Sequence, residues 1–359
     1  MFFKAVFLLV GTTIGAGLFA LPYVFLLSGS TISIIGLIVL TVITLTLNLF
    51  YVRTILKTKG DHQLPGYAKH WLGGKGEKLA LLAITLSTSG ALFAYVILGG
   101  DFLSLYFNQA PSVFHSLLFF LLGSMFVLRG IKSISKIEEY LTLILIILAV
   151  GIPLSGIKFF QIENLKIVPT SKLAFYGPVL FSLSGLVVIP EIEEILRKKR
   201  HLLPKAVFLG TLIPAIVYLI FGLGIFLISG GATTIDALSG LIAWSPKLVK
   251  AGALIGILAT FTSFLSLSNV LKEVLYRDLK ISSKASSHLA LLPAFLAVFA
   301  STGWFLGIIS LTGSLTIGLT GVVVCAISLK ANGEKNWHKT VLYAISFFLV
   351  AGMTTVFLK

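Results

Sequence analysis

The chain has 359 residues, 57% of them hydrophobic and 11% charged, with a mean hydropathy of +1.03. No water-soluble fold of this size tolerates that balance on its surface, and at roughly 20 residues per spanning helix the length leaves no room for a soluble catalytic domain beside a membrane body. The net charge of +15 does not point to nucleic acid as a partner, because the basic residues sit in short loops between apolar runs, where they set orientation across a bilayer.

Taken in chain order, apolar runs fall at about 3–28, 31–56, 78–107, 111–129, 137–157, 173–195, 204–230, 246–275, 286–302, 304–329 and 338–358. Each is long enough to span or nearly so, which predicts an all-α polytopic membrane protein with eleven transmembrane helices. Met1-Phe2-Phe3-Lys4 runs straight into the first apolar stretch without a basic n-region or a small-residue cleavage site, so the first helix is expected to be retained. With the N-terminus placed in the cytoplasm, 22 of the 28 Lys and Arg residues fall in cytoplasmic segments, leaving Lys158, Lys166, Lys172, Lys247, Lys250 and Lys359 outside. The positive-inside rule therefore predicts a multi-pass protein of the cell membrane, N-terminus in and C-terminus out. The longest cytoplasmic link, Lys57 to Lys75, contains Leu64-Pro65-Gly66-Tyr67 and His70-Trp71-Leu72. It reads equally as a short amphipathic surface helix or as an ordered loop. The single cysteine, Cys325, lies in an apolar run and excludes an intramolecular disulfide.

Two of the runs carry helix breakers at corresponding places. The first holds Gly11-Thr12-Thr13-Ile14-Gly15-Ala16-Gly17 and then Pro22; the sixth holds Gly177-Pro178, then Phe181-Ser182-Leu183-Ser184-Gly185, then Pro190. Relative to Ala, each Gly costs a helix about 1 kcal/mol and each Pro about 3. Glycines in membrane helices also serve close packing, and Gly11 and Gly15 have that spacing. Two interrupted helices five spans apart, an odd offset, instead match inverted five-helix repeats whose broken first helices build a midplane site. The expected units are residues 1–157, residues 173–329 and an added helix at 338–359. A break frees N–H groups at one half-helix and C=O groups at the other, suited to the carboxylate and ammonium of a zwitterionic amino acid.

At these residues the sequence resembles the hydroxy/aromatic amino acid permeases, of tyrosine and tryptophan permease type, within the amino acid–polyamine–organocation superfamily. The segment from Gly11 to Pro22 resembles that family's first-helix signature almost throughout. The resemblance implies the fold of the bacterial leucine transporter. It further implies that the amides of Gly15, Ala16 and Gly17 receive a substrate carboxylate, and that the carbonyl of Thr13 with groups near Phe181, Ser182, Ser184 and Gly185 receives the ammonium, Phe181 also acting as a lid. In sodium-coupled members a small residue followed by hydroxyl residues on helix 8 completes a cation site. Here the match is Ala259, Thr262 and Ser263 with Gly11 and Ile14, against the alternative that these hydroxyls bond back to their own helix. Leu18 stands where a second sodium site needs a polar side chain. Protons are the alternative coupling ion, with Glu191 as a carrier or, with Glu193 and Glu194, as a partner of the Arg197–Arg200 cluster; Asp101 reads as a cap or ion-pair partner. Tyr95 either lines the pocket or makes an interhelical hydrogen bond.

The expected function is import of a neutral, hydrophobic or aromatic L-amino acid by alternating access, coupled to one cation, without an enzymatic step or a cofactor beyond Na⁺. The expected partners are the amino acid and the lipid bilayer, with the monomer as the functional unit. A channel would show pore repeats or charge rings and an intramembrane enzyme a His/Asp/Glu constellation; neither pattern is present in the sequence. An amino-acid sensor or a channel using the same midplane site is the alternative.

Overall fold

Backbone buried in hydrocarbon has no water to bond with, so it closes its hydrogen bonds within helices. The computed structural model describes residues 1–60, 62–107, 113–129, 134–332 and 335–357, without the side chains of residues 134–139. Lys132, Lys359 and the side chain of Lys136, all used in the charge tally, lie outside the described residues. Among the described residues every regular element is helical.

The chain runs through α1 (Phe2–Thr13), α2 (Gly17–Ser28), α3 (Ser30–Lys57), α4 (Leu64–Tyr106), α5 (Val113–Arg129), α6 (Ile134–Ser155), α7 (Tyr176–Ser182), α8 (Ile189–Ile195) and α9 (Leu203–Ser229). It continues through α10 (Pro246–Glu273), α11 (Ser283–Ala297), α12 (Phe305–Leu311), α13 (Gly318–Asn332) and α14 (Asn336–Met353). Among the described residues six helices are long and apolar enough to cross a bilayer, and α1 with α2, bent by 50°, makes a seventh. The other expected spans are helical but short or interrupted: α5 has 17 residues, α11 has 15, and α7 and α8 have 7 each. Proline sets several starts, standing in the first turn of α4, α8, α9 and α10, where its missing N–H costs nothing. Pro22 does not make the break in the first run; it lies inside α2. Gly29, at φ +79°, joins α2 to α3 in a single residue, a conformation open to glycine.

The packing is reciprocal. α4 lies along α10 and α3 along α9; α5 and α11 each pack against both α4 and α10. α1 contacts α6, and α7 contacts α12 and the π-helical turn Thr312–Ile317 that follows it. Both interrupted helices are thereby held centrally.

The 57–75 link differs from both readings of the sequence. Leu64 opens the long helix α4, which kinks at Gly73 (φ +77°). Leu64, Tyr67 and Ala68 are buried, the Tyr67 ring meets Tyr51 edge-on at 5.7 Å, and Trp71 Nε1 donates to Thr58 Oγ1 at 2.9 Å. The apolar face of this segment is thus spent on the protein itself.

Gly177 and Gly313 let α7 cross the π-turn with backbones in contact: a Cβ on Gly177 would lie 2.5 Å from Ser310 O, and one on Gly313 would run into Gly177 O. Gly307, on α12, faces open space. Gly313→Ala is expected to lower stability by about 1–3 kcal/mol through overpacking while Gly307→Ala leaves it within about 0.5 kcal/mol; thermal unfolding of the detergent-purified variants measures the difference.

Candidate functional site

The first break is three residues wide. Ile14 leaves the helical path (φ −78°, ψ 86°), Gly15 N–H turns back to Thr13 O at 3.0 Å, and Leu18 N–H to Gly15 O at 3.2 Å begins the second half. Ala16 and Gly17 stand at the head of α2, where N–H groups lack intrahelical partners. The second break follows α7: Ser184 N–H reaches Phe181 O at 3.1 Å, Gly185 N–H reaches Leu183 O at 3.1 Å, and a 3₁₀ turn over Leu186–Val188 leads into α8.

The two breaks touch. A Cβ on Gly17 would lie 2.7 Å from Ser182 Cα, and one on Gly185 would run into Thr13 Oγ1 and lie 2.6 Å from Leu9 Cδ1. Thr13, Gly17, Ser182 and Gly185 are therefore one cluster. Their hydroxyls are not directed at a shared ligand. Thr13 Oγ1 donates to Leu9 O at 2.7 Å, Ser182 Oγ to Pro178 O at 2.7 Å and Ser184 Oγ to Phe181 O at 2.6 Å. What these residues bring to the cluster is backbone.

On the other side of the first break, Ser263 Oγ donates to Gly11 O at 3.1 Å with Ile14 O at 3.5 Å. Its hydroxyl also bonds that of Tyr95, and a Cβ on Gly15 would meet Ser263 Oγ at 2.8 Å and the Tyr95 hydroxyl at 3.0 Å. Gly11, Ile14, Gly15, Tyr95 and Ser263 form a second cluster of hard oxygen donors. Thr262 stands one residue away but its hydroxyl turns back to Leu258 O at 3.0 Å and Ala259 O at 3.2 Å. Ala259, Ala16 and Phe181 are buried.

A residue absent from the sequence reading joins the breaks. Tyr218, on α9 and fully buried, places its hydroxyl 2.5 Å from Thr13 O and 2.8 Å from Ser182 O. One O–H proton is shared between two carbonyls, one from each break, and Thr13 O also accepts the Gly15 N–H. In the sequence Tyr218 is a lone tyrosine in an apolar run. The available signal is its spacing from Thr211, two turns earlier on the same face, where Thr211 Oγ1 accepts from Asn48 Nδ2 at 3.1 Å.

The acidic candidates are engaged elsewhere. Glu193 pairs with Arg200 at 2.7 Å, and Glu194 lies 3.5 Å from Arg277 rather than against the Arg197–Arg200 cluster. Asp101 Oδ1 accepts from Thr302 at 2.9 Å. Among the described residues no three His, Cys, Asp or Glu side chains form a metal-binding group.

Two interrupted helices bridged by a third thus lie at the centre of the molecule. The model of the tryptophan/tyrosine permease family matches residues 1–357. The chain belongs to that family. Among its relatives, it is 26% identical to glutamine transporter 2 of Aliivibrio fischeri, over 99% of this chain and 96% of that protein. It is 25% identical to tyrosine-specific transport system 1 of Haemophilus influenzae, over 84% and 81%, and 28% identical to spore germination protein A2 of Bacillus subtilis, over 73% and 72%. The crystal structure of MhsT in complex with L-phenylalanine superposes with a TM-score of 0.73 over 99% of this chain and 97% of that one, at 18% identity. That likeness establishes the leucine-transporter-like fold for this permease family member. The family and the fold together identify a multi-pass membrane protein of the amino acid permeases, not an enzyme.

Tyr218→Phe removes only the bridging hydroxyl. It is expected to destabilise the protein by about 1–3 kcal/mol, the cost of leaving the buried Ser182 carbonyl without its donor, read as a lower melting temperature in detergent. An unchanged melting temperature would show that the two breaks do not depend on this bond.

Proposed function

We propose that the chain is a secondary active transporter that imports a neutral L-amino acid by alternating access, together with one inward cation, sodium in preference to a proton. The observation that carries the reading is the meeting of two helix breaks beside the Ser263–Gly11–Ile14 oxygen cluster. The half-helix start at Gly15, Ala16 and Gly17 suits the substrate carboxylate, and the break carbonyls of Thr13 and Ser182 suit its ammonium. Relatives named for glutamine and for tyrosine favour a neutral substrate rather than a strictly hydrophobic one.

Sodium would be held by the carbonyls of Gly11, Ile14 and Ala259 and the hydroxyls of Thr262 and Ser263, all neutral hard oxygens of the kind alkali cations prefer. Thr262 has to rotate away from its own helix to join them. One cation entering with a zwitterion moves one net charge, so the membrane potential contributes about 2.3 kcal/mol per 100 mV. The reciprocal contacts of α3 with α9, α4 with α10, and α5 and α11 with both α4 and α10 support an inverted pair of five-helix repeats. Eleven spans, an N-terminus in the cytoplasm and a monomeric unit complete the reading.

Uptake of labelled amino acids into proteoliposomes, with sodium and proton gradients varied independently, tests it. Concentrative uptake driven by sodium is expected, with Ser263→Ala abolishing the sodium dependence. Absence of uptake and counterflow for every neutral amino acid tried would overturn the transporter reading, and sodium-independent, proton-driven uptake would overturn the cation site.

A further inference from the structure

Beside the second break lies a partly open cavity of about 50 Å³, lined mainly by α3, α4, α10, α13 and the segment from Leu183 to Val187. Its wall is mostly hydrocarbon, with polar groups from Thr44, Asn48, Ser87, Thr88, Ser184 and Thr320, and no charged side chain among the described residues that line it. Four of those groups are already satisfied, since Ser87, Thr88, Ser184 and Thr320 each donate to a carbonyl of their own helix or turn.

The other two are not. Thr44 Oγ1 and Asn48 Oδ1 are buried without a hydrogen-bond partner, in residues only 6% and 1% exposed. Asn48 has one amide group engaged, Nδ2 donating to Thr211 at 3.1 Å. Turning the amide over would exchange its oxygen and nitrogen and still leave one of them unmatched. Thr44 and Asn48 sit one helical turn apart on α3, so both present to the same space. Buried polar groups are costly to leave unmade, and native structures pair them with protein, water or ligand.

We propose that this cavity receives the side chain of the transported amino acid, and that Thr44 and Asn48 select an uncharged hydrogen-bonding tip, a carboxamide such as that of glutamine. The inference rests on the transporter reading and deepens it. Ser184 and Leu183 belong both to the cavity wall and to the second break, so a substrate whose main-chain groups lie at the breaks extends its side chain here. A hydrocarbon tip would leave Thr44 and Asn48 unmatched. A charged tip would find no counter-ion. A carboxamide supplies a donor and an acceptor together, which serves an Asn and a Thr whichever way each is turned.

The test is competition of unlabelled glutamine, leucine and tyrosine against labelled substrate in proteoliposomes holding the full chain, with Asn48→Leu and Thr44→Val as variants. Glutamine is expected to compete best with the wild type. The ratio of glutamine to leucine affinity is expected to fall at least about tenfold in Asn48→Leu and in the same direction in Thr44→Val. Equal or better competition by leucine or tyrosine in the wild type overturns the inference, as does an equal loss for all three amino acids in the variants, which marks a cavity filled by structural water alone. If Asn48→Leu fails to fold, the wild-type ranking and Thr44→Val decide. Total absence of amino acid uptake by the wild type would count against the transporter reading, whereas uptake without a glutamine preference counts only against this assignment.

Discussion

Backbone that leaves a helix inside a membrane must find partners within the protein, and the whole arrangement follows from how that requirement is met at two places. The residues from Ile14 to Ala16 and from Leu183 to Gly185 interrupt two helices at one level of the fold. Local turns satisfy part of each break. Other carbonyls are met from outside, Gly11 O by the Ser263 hydroxyl and Ser182 O by that of Tyr218, which also reaches Thr13 O beside the Gly15 N–H. Four helices, α1, α7, α9 and α10, are thereby tied to one another through bonds to main-chain atoms rather than through side-chain packing alone.

Small residues make these ties possible. Gly15 admits Tyr95 and Ser263, Gly17 admits the backbone of Ser182, and Gly313 admits that of Gly177. The glycines have two roles here, weakening the helix where it breaks and letting a second backbone approach. The packing explanation and the broken-helix explanation for Gly11 and Gly15 are therefore complementary. The same economy explains the charges. The ion pairs of Glu193 with Arg200 and Glu194 with Arg277 lie beyond the break, at the far end of α8, so the two break clusters consist of neutral dipoles. A site built this way can bind and release a zwitterion without stranding a buried charge.

Neutral dipoles also bear on the proposed coupling ion. The oxygen atoms around Gly11, Ile14 and Ser263 carry no formal charge, a donor set that favours a weakly held cation able to leave again. Thr262, bonded back to its own helix, has a rotamer to change before it could join them. A side chain with two hydrogen-bonding choices of comparable energy is the kind of element through which binding at one break can bias the geometry at another.

Composition and period decided much by themselves. An apolar chain with eleven apolar runs, its charges gathered in the short links between them, must be a helical membrane protein, because only helices close their hydrogen bonds locally in lipid. Gly15 in the first run and Gly185 in the sixth marked both breaks, since the cost of glycine to a helix is local, whereas Pro22 and Pro178 lie inside helices. Tertiary structure decided what local chemistry leaves open. Whether Thr13, Ser182, Ser184 and Thr262 point outward or back onto their own helices depends on rotamers set by neighbouring helices, and all four bond back. Whether the 57–75 segment lies on the membrane or on the protein depended on what Tyr67 and Trp71 could reach. Tyr218 was invisible for the same reason. Its role comes from two carbonyls far away in sequence, brought within reach of one hydroxyl only once α9 is laid against both breaks.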